Sequence, residues 1–159
     1  MSQSGQRTDT NIMIQQRKVV GVLLYNRQGE VLLQQRDDKP GLVYAGHWTF
    51  FGGAVEAGES PDDAVQRELW EELELRLPLR RWKTYLCPAR TVPDQVTTTN
   101  TLYTGLLERE QTPTVLHEGQ AMGWFDAESA QHLTLAFLQS PHLIEFFSIL
   151  PDLLQEGNE

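Results

Sequence analysis

The sequence has one cysteine in 159 residues, Cys87. An internal disulfide is excluded, and with no second cysteine or closely paired histidines beside it there is no zinc spacing either. The thiol is expected to be buried and inert. Basic residues are also scarce, 13 lysines and arginines against 22 aspartates and glutamates, for a net charge of −9 at pH 7. Such a chain repels polyanions, which disfavours a nucleic-acid partner. No apolar run approaches the roughly 18 to 20 residues that span a bilayer, so no membrane partner is expected. The start, MSQSGQRTDTNIMIQQR, lacks the apolar core of a secretory signal, which makes the cytoplasm the expected compartment. Internal repeats, low-complexity tracts and interdomain linkers are missing as well.

What is present is an ordinary globular balance, 40% hydrophobic and 22% charged, at a length that suits one domain. Residues 1–16 read as a flexible tail and 17–159 as a single domain. Residues 18–26 (KVVGVLLYN) and 30–36 (EVLLQQR) read as the strands of a hairpin, followed by a loop at 37–46 (DDKPGLVYAG). Residues 47–55 (HWTFFGGAV) read as a short strand broken at Gly52-Gly53. Further strands are expected at 81–88, 96–107 and 121–126.

Ser60-Pro61-Asp62-Asp63 is a helix start, with Ser60 as N-cap, proline at the first helical position and two acids facing the positive end of the helix dipole. That helix is expected to run to about Leu75. Ser140-Pro141 opens a second, apolar helix in the same way, with Ser140 as N-cap, and Pro151 is expected to interrupt or end it.

The acidic charge is concentrated. Glu56, Glu59, Asp62, Asp63, Glu68, Glu71, Glu72 and Glu74 are opposed between them only by Arg67, which accounts for −7 of the net −9. On a helical wheel Ala64, Glu68, Glu71 and Glu72 share one arc, beside a core stripe of Val65, Leu69 and Leu73. Like charges at i,i+3 and i,i+4 cost a few tenths of a kcal/mol per pair, so a purely structural role gives no reason to group three glutamates. A bound cation gives one, and oxygen-only donors suit Mg²⁺ or Mn²⁺ with positions left for phosphate oxygens. Taken alone, a solvated acidic helix face is the commoner meaning of such a pattern.

The spacing decides between the two. Residues 53–75, GAVEAGESPDDAVQRELWEELEL, resemble the signature of the Nudix hydrolase family: Gly53, Glu59, Arg67, Glu68, Leu69, Glu71, Glu72 and Leu75 fall on its fixed positions. The one mismatch is Glu74, where the family has glycine. The preceding HWTFFGG looks like the family's tryptophan-containing strand into its Gly-Gly turn, and the resemblance extends over about residues 17–150.

The resemblance implies an α/β fold, an α/β/α sandwich around a mixed sheet. It implies hydrolysis of a nucleoside diphosphate linked to a group X, giving a nucleoside monophosphate and X-phosphate, or of a nucleoside triphosphate to monophosphate and pyrophosphate. The substrate would be a small nucleotide, the cofactor Mg²⁺ or Mn²⁺, and a homodimer is an option the family often takes. Glu68, Glu71 and Glu72 match its metal-binding glutamates, and Gly53 a glycine whose carbonyl adds a ligand. Arg67 and Glu59 match a supporting ion pair. Glu118 resembles a further ligating or basic glutamate found in some members, and on its residues alone is equally an ordinary loop acid. Glu68 or an off-helix acid would be the general base.

Arg36 and Glu56 are secondary candidates for substrate contact, and the segments 37–46 and 90–99 are expected to select the base and X. Glu74 should either let the helix continue or be strained by about 1 to 2 kcal/mol in a left-handed conformation. Two alternatives remain at this point: a glycosyl hydrolase of the same fold attacking sugar carbon in a GDP-sugar, or a diphosphate isomerase beside it, and a noncatalytic nucleotide sensor. The complete Arg-Glu-x-x-Glu-Glu set favours attack at phosphorus.

Overall fold

The computed structural model describes residues 15–87 and 96–158. Of the expected tail at 1–16, residues 1–14 lie outside the described residues, while Gln15 and Gln16 begin a strand instead; of the expected loop at 90–99, residues 90–95 lie outside and 96–99 belong to a strand.

The strands are β1 (Gln15–Tyr25), β2 (Val31–Gln35), β3 (Trp48–Thr49), β4 (Phe51–Ala54), β5 (Arg80–Cys87), β6 (Val96–Leu106) and β7 (Ala121–Phe125). The helices are α1 (Pro61–Leu73), α2 (Ala127–Ala130) and α3 (Ser140–Glu156). All seven strands join one mixed sheet in the order β3-β2-β1-β6-β5, with β4 also on β1 and β7 on β2. The central contact is parallel, β1 against β6 along their whole length, while β1–β2, β1–β4, β2–β7 and β5–β6 are antiparallel.

Side chains alternate between the two sheet faces, as period-two strands require. Val20, Val22, Leu24, Leu32 and Phe51 pack with Ala64, Val65, Leu69 and Leu73 of α1. Leu23, Val31, Leu33 and Phe50 pack on the other side with Leu143, Phe146 and Leu150 of α3. The result is the α/β/α sandwich. Leu69 is 1% exposed, and its replacement by alanine is worth roughly 2 to 5 kcal/mol.

Four local expectations are corrected. The break in the 47–55 strand falls at Phe50, not at Gly52-Gly53: the Gln139 side chain accepts from both the Phe50 amide at 3.1 Å and Thr49 Oγ1 at 3.0 Å. Gly52 lies inside β4 because β1 passes so close that a Cβ there would sit 2.0 Å from the Val20 carbonyl oxygen. Pro151 neither interrupts nor ends α3, which continues to Glu156; its N-cap position is Gln139, which makes no side-chain cap hydrogen bond, and Ser140 is already the first helical residue. Leu153 and Leu154 beyond the proline still pack on the core, and that burial holds the last turns in line. Cys87 is only half-buried, because it ends an edge strand, and Asn100 Nδ2 donates to its Sγ at 3.4 Å.

The cap of α1 forms as its residues dictate: Ser60 Oγ accepts from the Asp63 amide at 3.1 Å. The helix stops at Leu73, and Glu74 turns out of it with φ 55° and ψ 35°. Of the two outcomes open at that position, strain is the one taken. No helix among the described residues is long and apolar enough to cross a membrane.

Candidate metal centre

Residues four apart on a helix stand one above the other, so α1 stacks Glu68 and Glu72 on the side facing β4 and the end of β2. Glu118 comes from the segment leading into β7. One carboxylate oxygen from each of Glu68, Glu72 and Glu118 lies within 4.8 Å of the others.

Glu72 is only 2% exposed. Its Oε2 accepts from the Gly52 amide at 3.0 Å and its Oε1 from Gln34 Nε2 at 3.4 Å. Burial, reinforced by Glu118 and Glu68, pushes its carboxyl up to about 9, and the two hydrogen bonds only partly offset this. Burial also raises the Glu68 carboxyl, against the pull of Arg67. Glu68 lies directly over Gly53, where a Cβ would approach its Oε1 to 2.5 Å. The glycine therefore makes room for the carboxylate.

Arg67 organises a second set. Its Nε and Nη2 donate to Glu59 at 2.7 and 2.9 Å, and Nη2 also reaches the Ala54 carbonyl at 2.9 Å. Its Nη1 donates to Glu68 Oε1 at 3.0 Å and Glu71 Oε2 at 3.2 Å, with Glu56 Oε1 at 3.8 Å. The forked contact, aided by the Glu56 amide, lowers the Glu59 carboxyl to about 2 and raises the guanidinium.

Each residue singled out in the sequence thus has a place. Glu68, Glu72 and Glu118 come together; Glu71 is exposed and turned toward Arg67, outside that group. Gly53 lies under Glu68, and Glu56 is at the exposed rim of the arginine. Arg36 follows β2, and its Nε donates to the Val43 carbonyl at 2.9 Å while the guanidinium covers the Phe137 ring at 5.0 Å. Gln34, the Gly52 amide and the pair Glu74–His117 escaped the sequence reading. Gln34 had a visible signal, a polar residue sharing a strand face with Leu32.

The donor chemistry fits a hard divalent cation. All donors are carboxylate oxygens, two of the three are wholly or largely withdrawn from water, and a cation favours the ionised form that burial otherwise opposes.

A mixed sheet between helices, with an oxygen-only acidic centre formed by one of those helices and the segment before β7, defines an α/β protein built around a candidate cation site. The chain belongs to the Nudix family: the NUDIX domain model matches residues 15–146. An RNA pyrophosphohydrolase of Gluconacetobacter diazotrophicus is 42% identical over 60 residues, which cover 36% of this chain and 36% of that protein. The chain thus spans well under half the length of that relative. The E. coli dihydroneopterin triphosphate pyrophosphohydrolase superposes with a TM-score of 0.66 at 24% identity, covering 82% of this chain and 94% of the other. The NUDIX domain of Shewanella oneidensis NrtR, complexed with ADP ribose, superposes with the same TM-score of 0.66 at 23% identity, covering 87% and 90%. At such identities the two structures speak for the fold.

Proposed function

We propose that residues 17–159 act as one domain, a divalent-metal-dependent pyrophosphohydrolase that cleaves a phosphoanhydride bond in a small nucleotide. The substrate is a nucleoside diphosphate linked to a group X, or a nucleoside triphosphate, and the cation is Mg²⁺ with Mn²⁺ as a substitute. The observation that carries this reading is the convergence of Glu68, Glu72 and Glu118 within 4.8 Å, around a buried carboxyl pushed up to about 9. The pyrophosphohydrolase name of the relative over the matched segment supports it.

A divalent cation held by these carboxylates would neutralise phosphate charge and stabilise the leaving group during attack at phosphorus. Glu72 is fixed for that task by Gln34 and the Gly52 amide, and Glu68 by Arg67. Gly53, packed beneath Glu68, would add its carbonyl as a further ligand. The proton of the attacking water passes to a carboxylate of this group, Glu68 or Glu118. Arg36 and Glu56, at the rim, contact the substrate, with Arg36 released from Val43 to meet a phosphate. The net charge of −9 supports a small nucleotide over a long polyanion, and the cytoplasm is the proposed compartment.

The test is a panel of nucleotide sugars, dinucleoside polyphosphates, ADP-ribose and nucleoside triphosphates, with Mg²⁺, then with EDTA, in ¹⁸O-labelled water. The expected result is turnover that stops in chelator, with the label in a phosphate product. Hydrolysis unchanged by EDTA would sink the metal role, and label only in a released sugar would move the chain to attack at carbon. Binding without turnover across the panel would favour the sensor reading.

A further inference from the structure

Glu74 stands where the family signature has glycine, and the backbone keeps the glycine's conformation, φ 55° and ψ 35°. A side chain at such a position is strained, and glycine would relieve it. The strained residue is not idle. Its Oε2 accepts from His117 Nε2 at 3.1 Å. The His117 amide, for its part, donates to the Glu72 carbonyl at 2.9 Å, one of the acceptors that the end of α1 leaves without a helical partner. The residue immediately before Glu118 is therefore tied twice to the helix that carries Glu68 and Glu72.

The other side of Glu118 is pinned independently. Gly119 has φ +87°, and a Cβ there would lie 2.7 Å from the Gln35 carbonyl oxygen. Gln120 donates its amide to the Gln35 carbonyl at 2.9 Å and its Nε2 to the Arg36 carbonyl at 3.0 Å. Glu118 is thus suspended between two anchors, and only the helix-side anchor uses a side chain foreign to the signature. Both its side chains are about half exposed, 55% for His117 and 49% for Glu74, so the pair adds little to global stability. What it can select is the conformation of the short segment that presents Glu118.

We propose that Glu74 and His117 form a latch that positions Glu118 against Glu68 and Glu72, making them positioning residues for cation binding. This rests on the metal-centre reading above. A residue that orients a metal ligand from behind typically changes metal affinity by on the order of tenfold when removed.

The test compares the full chain with Glu74→Gly, His117→Gln and the double variant. Mn²⁺ binding is followed by electron paramagnetic resonance of the free ion, and amide hydrogen exchange of residues 117–120 is followed in chelator. Each single variant is expected to bind Mn²⁺ about tenfold more weakly, the double variant no more weakly than either single. Both singles are expected to exchange faster at 117 and 118. Glu74→Gly should melt no earlier than the parent, since glycine suits the backbone, which separates the latch from plain destabilisation. Wild-type affinity and exchange in Glu74→Gly would overturn the latch. Additive losses would also overturn it, because they would show Glu74 and His117 acting independently rather than as one latch. If the unaltered chain binds no Mn²⁺, the metal-centre reading falls and the latch with it; if all four proteins bind equally, only the latch falls.

Discussion

Two sets of glutamates meet on α1 and behave in opposite ways. Around Arg67, Glu59 is hydrogen-bonded by a forked guanidinium and its carboxyl sinks to about 2, while Glu71 and Glu56 lie against the same cation at 3.2 and 3.8 Å. Around Glu72 there is no such partner within reach among the described residues: Gln34 and an amide donate neutral hydrogen bonds, and burial drives the carboxyl up to about 9. One residue type in one charge-rich segment gives two chemistries. The difference is whether the protein supplies the compensating charge itself, and the carboxyl it leaves without one, Glu72, is the one suited to an external cation.

The comparison is broken most severely at Glu72. Glu72→Gln should fold, as circular dichroism would confirm, and lose about a thousandfold or more of the turnover found with the best panel substrate, since an amide oxygen is a poor ligand for Mg²⁺. Near-normal turnover would show that the group is only a buried polar cluster.

Glu71→Gln tests whether belonging to the arginine set matters. The expected loss of turnover is smaller, about tenfold, because Glu71 acts mainly through Arg67 in this arrangement. A loss equal to that of Glu72→Gln would place Glu71 among the ligands.

The two sets should also answer pH with opposite signs in chelator. Glu72 ionises at about 9 in the fold against an ordinary value of 4.5, so its protonated form favours the fold. That contribution is complete below 4.5 and drains away as pH rises toward 9. Thermal melts between pH 5 and pH 9 should therefore show a midpoint falling by several degrees, and Glu72→Gln should flatten the trend. Glu59, lowered to about 2 from 4.5, contributes above 4.5 and loses that contribution as pH falls through 2. An unchanged slope in Glu72→Gln would refute the assignment of the alkaline limb.

The smallest expected effect sharpens the arginine side. Arg67→Lys keeps the charge but cannot hold Glu59 with a fork and reach the Ala54 carbonyl as well. Its melting midpoint should drop by about 2 to 4 °C. No change would mean that charge alone, without the fork, orders this corner.

Much of this was legible in the chain. Apolar, β-branched residues in KVVGVLLY and EVLLQQ marked β1 and β2, Ser60-Pro61 marked the start of α1, and residues 53–75 carried the family signature. These features are local: a cap, a strand and a motif are each read from one continuous stretch of chain. At Pro151 the local cost of proline is outweighed by packing that is not local, and Gly52 answers to the approach of β1 rather than to a turn.

The division at the site follows the same line. The sequence by itself determined that carboxylates share one face of a helix, and that Arg67 stands among them. Only the tertiary structure decided which of them lose water, that Gln34 and the Gly52 amide hold Glu72, and that Glu118, 46 positions from Glu72, joins it. Helical spacing is a property of the backbone and can be counted along the chain. Burial, and with it the sign of a carboxyl's shift, depends on what the rest of the fold lays over the group.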